Sequence, residues 1–200
     1  MSPSDMRELL IAQTIKVVAN MGLENATTKA ITKDIGVNEV YIYRNFADKE
    51  DLLAKTFEKL DEELVAVVLK QLEVMAMPGV EFDIRCRFFL RGIWRFLLGN
   101  KDKCLSYIRY YYSPYFYKNS AEEHTKRFKP IVESFSKAFK EDANVSMILS
   151  HGLTTMLAFS VHVYNDNVPD NEDTEEHVFR VVYQSVKQYF KNNEESNSAI

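Results

Sequence analysis

Thr27, Gly36 and Asn38 lie close enough together to dictate the local fold before anything else is considered. Threonine is a helix-capping residue, because its hydroxyl can accept from a backbone N–H of the first turn. The positions after Thr27 place Ile31 and Ile35 at a helical step, and Gly36 can end that run in the left-handed conformation glycine tolerates. Asn38 then offers a second cap, for a short helix reaching Asn45. Two short helices joined by a turn of three or four residues around a glycine make a helix-turn-helix.

The rest of the chain also reads as helix. With 6 Gly and 5 Pro among 200 residues there are few breakers, and apolar residues recur at helical rather than alternating steps, so the fold class is all-α. Ser2 and Asp5 can form a capping box with Pro3 at the first helical position. Leu10, Ile11, Thr14, Val17, Val18 and Met21 form one inward stripe, which Gly22 terminates. Asp48 with Asp51 begins a long helix to about Val74, closed by Pro78-Gly79. Segments 80–98 and 101–112 follow, the second ending at Ser113-Pro114. Ser120 and Glu123 suggest another capping box, and Pro130 a kink in the helix it starts. Asn144 opens a helix to about Tyr164, Asp173 and Glu176 open the last, to about Phe190, and residues 191–200 are polar and expected to fray. The organisation expected is a three-helix bundle over 1–47 and a larger helical domain over 48–200.

Composition excludes several function classes. Hydrophobic residues are 46% and charged residues 27% of the chain, an ordinary globular balance. A formal charge of −4 gives no global positive field, so any nucleic-acid contact must come from a local patch. Cys86 and Cys104 cannot build a disulfide framework. Together with His124, His151, His162 and His177 they show no ligand spacing, so no metal is expected. Asp61-Glu62-Glu63 and Asp170 to Glu176 read as solvated faces and caps. There is no Gly-rich phosphate loop, nucleophile elbow or triad pattern, so neither an enzyme nor a cofactor is expected. Leu9 to Ala12 is too short for a signal core, and Arg91 and Arg95 interrupt Phe88 to Leu98. No membrane partner is expected, and the placement is cytoplasmic.

The helix from Asn38 to Asn45 is too short to contribute much core. Val37, Ile42 and Phe46 face inward, which leaves Glu39, Val40, Tyr41, Tyr43, Arg44 and Asn45 outside. Such a surface suits a DNA groove, where Arg reads guanine, Asn adenine, and Tyr a phosphate or a thymine methyl. Helix starts at Thr27 and Asp48-Lys49 can clamp phosphates on each side, and Lys29 and Lys33 add charge. Glu39 counts against a purely electrostatic binder, unless it accepts from cytosine N4 or points away.

In these residues the chain resembles the tetracycline-repressor (TetR) family of bacterial transcription regulators. Thr27-Thr28, Gly36-Val37, Ile42-Tyr43, Phe46, Lys49-Glu50 and Leu52-Leu53 follow that family's pattern. It departs at Asn38 for serine, Val40 for glycine, Asn45 for histidine, and Thr32 and Ile35 for small residues. The resemblance implies that Thr27, Asn38, Tyr43 and Lys49 hold phosphates, while Glu39, Val40, Tyr41 and Arg44 meet base edges. It also implies a homodimer, a double-stranded DNA operator, and a small-molecule effector that releases a repressor.

Beyond residue 48 the reading is looser. Leu149, Gly152, Leu153, Met156 and Phe159 on one helix, and Val178, Val182, Val186 and Tyr189 on the other, are more apolar than one face can bury and fit a two-fold interface. Phe88 and Trp94, with Tyr107, Tyr110 and Tyr111 from an aromatic run, can wall an effector pocket or fill a core. Arg91 and Arg95 can snorkel at the surface or pair with an anionic effector. Two other functions are compatible with a helical chain, an enzyme using the aromatic cavity and a protein-binding adaptor.

Overall fold

The computed structural model describes residues 3–191, and every named element in it is an α-helix. Ser2, half of the expected first capping box, lies outside the described residues, as do residues 192–200. In chain order the helices are α1 (Pro3–Met21), α2 (Thr28–Lys33), α3 (Val40–Asn45), α4 (Lys49–Met75), α5 (Phe82–Gly99), α6 (Lys101–Tyr111), α7 (Pro114–Asn119), α8 (Ala121–Ser136), α9 (Val145–Tyr164) and α10 (Glu172–Lys187). They form two compact units, one of Met1–Glu63 with Asn100–Lys126, the other of Leu64–Gly99 with Arg127–Ile200.

The first unit is built on α1. Leu10, Ile11, Val17 and Val18 are buried, but Met21 is exposed, because the helix ends beneath it at Gly22, whose φ is +85°. Arg109 of α6 donates to the Val18 carbonyl at 2.6 Å and so satisfies one of the helix-end acceptors. α6 lies along α1, and its Tyr107 and Tyr110 pack on Phe57 of α4 with ring centroids 5.0 and 4.7 Å away. Asp61 is fully buried beside them rather than solvated. It accepts from the Tyr107 hydroxyl at 3.2 Å and lies 2.8 Å from His124 Nδ1. Ser120 directly precedes α8, its carbonyl accepting from His124 N at 2.9 Å, and its buried hydroxyl meets that of Tyr110 at 3.0 Å. Proline at position 114 starts α7, a turn and a half of helix that the sequence reading passed over.

In the second unit α5, α9 and α10 pack together around Phe89, Ile93, Leu97, Met156, Val178 and Val182. Gly152 brings α9 close to α10, since a Cβ there would stand 3.4 Å from Val182 Cγ1. Asn144 caps α9 by accepting from Met147 N at 3.0 Å. Asn171, not Asp173, caps α10, accepting from Thr174 N at 2.9 Å. α10 ends at Lys187, and the chain beyond clasps the segment after α8, with Lys191 N donating to Ala138 O at 3.0 Å and Lys140 N to Tyr189 O at 2.9 Å. By length and composition α9 is apolar enough to cross a membrane, yet Gly152, Met156, Leu157 and Ser160 are buried in this unit.

Candidate functional site

Each helix of the reading motif is positioned by a side chain that the local sequence supplies. The Thr27 hydroxyl accepts from Ala30 N at 3.1 Å and starts α2. Gly36, at φ +65°, makes the corner. The Asn38 side chain accepts from Val40 N at 2.9 Å and starts α3. Ile42 is the anchor, with no exposed surface, and Phe46 is nearly as deep. Arg7 of α1 holds the far end, donating to Asn45 O at 2.6 Å with its guanidinium 4.3 Å from the Phe46 ring centroid. Beyond it Asp48 accepts from Asp51 N at 2.8 Å while Asp51 accepts from Ala47 N at 2.9 Å, two bonds that fix where α4 begins at Lys49.

What these anchors leave outside is a contiguous polar and aromatic face. Val40 is 50% exposed and Tyr43 58% exposed, and Tyr41 and Arg44 are exposed beside them. The Arg44 guanidinium lies 5.5 Å from the Tyr41 ring centroid, which keeps the cation extended along the helix surface. Thr27 and Asn38 are exposed at the two helix starts, and Lys49 is half-buried at the third. Glu39 alone turns back: the Thr28 hydroxyl donates to its carboxylate, so this negative charge is held toward α2. Asn45, a departure from the family pattern, donates to the Tyr41 carbonyl of its own helix at 2.7 Å. The face offers hydrogen-bond donors and flat apolar surface without an outward carboxylate, chemistry suited to base edges flanked by phosphates.

Residues 10–56, which contain this motif, match the family model for bacterial regulatory proteins of the tetR family. Among solved structures, a TetR family transcription regulator from Marinobacter aquaeolei VT8 is similar at 13% identity and a TM-score of 0.73, over 91% of this chain and 95% of its own. A putative tetR family regulator from Shewanella sp. PV-4 also gives 13% and 0.73, over 90% and 97%. One from Haemophilus influenzae Rd gives 16% and 0.62, over 90% and 96%. No protein of curated function matches the sequence. At such low identities the structural likeness carries the fold; the family model carries the reading motif. Residues 10–56 thus carry the helix-turn-helix region of the tetR family model, within a chain whose fold is like that of TetR family regulators.

The second unit holds a partly open apolar cavity of about 90 Å³, between the end of α4 and α5, α8, α9 and α10. Its wall includes Phe89, Ile93, Ile131, Phe135 and Met156. The pocket residues expected from sequence are not brought together there. Phe88 is 47% exposed, because its neighbour Phe89 takes the inward position on α5. Tyr107 and Tyr110 are buried in the first unit, and Tyr111 stacks on Tyr107 with centroids 5.9 Å apart. Trp94 is buried and, with Arg91, borders a separate polar cleft of about 320 Å³ against α10. There Arg91 and Arg95 each meet Glu175 at 2.9 Å, and Arg87 pairs with Glu176. The arginine stripe is matched by α10 carboxylates of its own chain. Sequence reasoning missed the α8 wall, although Phe128, Ile131 and Phe135 recur there at helical steps.

Of the residues assigned to a subunit interface, Gly152, Met156, Val178 and Val182 are buried within the unit and so are withdrawn from a partner's reach. Leu149, Leu153, Phe159 and Val186 are half-buried, and Tyr189 is exposed. On another line of α9 Met147 and Ala158 are exposed and Thr154 and Val161 half-buried, with Val181 exposed on α10. Among the described residues no group of three histidine, cysteine or carboxylate side chains is placed to hold a metal ion.

Proposed function

We propose that this protein is a regulator of the TetR family, a cytoplasmic homodimeric repressor that inserts α3 of each subunit into the major groove of a roughly palindromic operator. The observation that carries this reading is the face of α3, where Val40, Tyr41, Tyr43 and Arg44 project from a helix whose Ile42 is wholly buried. Arg44, Tyr41, Val40 and Glu39 read or border base edges, and Thr27, Asn38, Tyr43 and Lys49 meet phosphates. Two such helices related by a two-fold axis enter successive grooves when about 34–36 Å apart.

The α9 line from Met147 through Thr154, Ala158 and Val161 supports pairing of two copies, because only a third of that apolar helix is buried within one chain. An effector held in the second unit would release the operator by shifting α4, whose first residue is the Lys49 phosphate clamp. In this reading residues 1–47 are the reader and residues 48–200 the effector-binding, dimer-forming module. A coupling of about 1–3 kcal/mol is enough to change operator affinity tenfold or more.

The test is a mobility shift with the DNA upstream of the protein's own gene, repeated between 50 and 200 mM salt. Binding that weakens steeply with salt and survives excess non-specific duplex is expected. Absence of duplex binding at every salt, with the fold intact by circular dichroism, would end the proposal.

A further inference from the structure

Among the described residues, the wall of the apolar cavity contains no Asp, Glu, Lys, Arg or His side chain. Its polar atoms are few, and two of them belong to side chains already committed. The Tyr183 hydroxyl donates to the Asp83 carboxylate. The Cys86 thiol is held protonated, its pKa pushed up to about 12 by burial and then by Asp83. The nearby cations of α5 do not serve this space, because Arg91 and Arg95 are bound to Glu175 and Arg87 to Glu176 on the side of the polar cleft. An ionic group brought into the cavity would thus lose its water and gain no counter-charge, which is strongly unfavourable. Size narrows the choice further. The cavity's 90 Å³ is well below the roughly 300–1,000 Å³ of pockets for drug-sized ligands, and nearer to apolar cavities of about 150 Å³ that take benzene or xenon.

We propose that this cavity is a binding site for a small, uncharged, hydrocarbon-like molecule, and that anionic and cationic effectors are excluded from it. The inference rests on the reading of the second unit as the effector-binding one. Ile93 and Ile131, both nearly without exposed surface, form rigid wall. Met156 is the adaptable part, an unbranched side chain that can swing to admit a guest somewhat larger than the empty space. Leu149 and Leu153, half-buried on α9, stand at the margin where such a guest enters.

Three ring compounds of similar size and different charge separate the possibilities: fluorobenzene, 4-fluorobenzoate and 4-fluorobenzylammonium, each titrated with the full chain and followed by ¹⁹F NMR. Fluorobenzene is expected to bind saturably, with both ions at least tenfold weaker. Ile93→Phe, which fills the space, is expected to abolish the fluorobenzene signal while keeping its helical circular dichroism. Should that variant not fold, Leu153→Phe at the margin and a xenon-dependent rise in the wild-type melting temperature provide the same check. Equal or tighter binding of either ion in competition with fluorobenzene overturns the charge assignment, and no saturable binding of fluorobenzene or xenon overturns the site. A parallel mobility shift keeps the two readings apart. Fluorobenzene that binds without loosening the operator complex contradicts effector control through this unit but leaves the cavity's preference standing.

Discussion

Arg44 lies along the Tyr41 ring, with its guanidinium exposed to whatever approaches α3. Replacing it by alanine is expected to cost about 1–3 kcal/mol of operator affinity and to relax preference at one base pair. Arg44→Lys is expected to retain general duplex affinity but not that preference, because an ammonium lacks the bidentate fork; competition between the operator and single-base variants reads both effects. At Cys86 the sign of a pH effect can be worked out. The unfolded thiol ionises near its usual 9.0, whereas burial and the Asp83 carboxylate hold the folded one up to about 12. The contribution is therefore complete below pH 9 and is lost as pH rises from 9 towards 12, at no more than about 1.4 kcal/mol per pH unit. Urea unfolding at pH 8 and at pH 10.5 should show the fall, shared with Tyr183, whose hydroxyl is pushed in the same direction by burial and by Asp83. In Cys86→Ala the slope should shrink, and an unchanged slope would contradict the assignment.

Elements of the reading unit depend on a few side chains at their ends and beneath them. Gly36 turns the corner between α2 and α3 at φ +65°, and a Cβ there would meet nothing within 4 Å. The expected cost of Gly36→Ala, about 1–2 kcal/mol, is thus conformational rather than steric. Thermal unfolding should show Gly36→Asn to be milder, since asparagine tolerates that region better. A different dependence joins α4, α6 and α8 within this unit, where Asp61 meets Tyr107 and His124. Removing His124 strips a buried carboxylate of one partner, and His124→Ala is expected to destabilise the protein by about 1–3 kcal/mol. Denaturant titration measures it; a change within a few tenths would mean that other partners of Asp61 suffice. Neither element was legible to the same degree. The caps of α2 and α3 were readable because Thr27 and Asn38 act on amides two or three residues away. The Asp61 contact spans 63 residues of chain, and an acidic triplet on a helix looks solvated until its neighbours are known.

For the whole molecule the decisive quantity is how many copies of the chain associate. The α9 line from Met147 to Val161 predicts a dimer by sedimentation at micromolar concentration. Ala158→Arg, which places a charge in the middle of that line, should shift the equilibrium towards monomer and weaken operator binding, with α3 unaltered in its own chain. A variant that stays dimeric would move the interface elsewhere. The sequence also predicted four interface residues that the structure buries in the protomer, Gly152, Met156, Val178 and Val182. Both α9 and α10 are apolar on more than one side, so hydropathy alone could not say which side each chain keeps for itself.

The sequence by itself determined the helical class, the helix-turn-helix corner and the residues its short reading helix presents, because caps, glycine and helical period act over a few neighbouring residues. The tertiary structure decided where the empty space lies, that Phe89 rather than Phe88 faces it, and that α10 carboxylates neutralise the arginines of α5. Those outcomes depend on which helices meet and in what rotation, and packing between segments distant in the chain sets both.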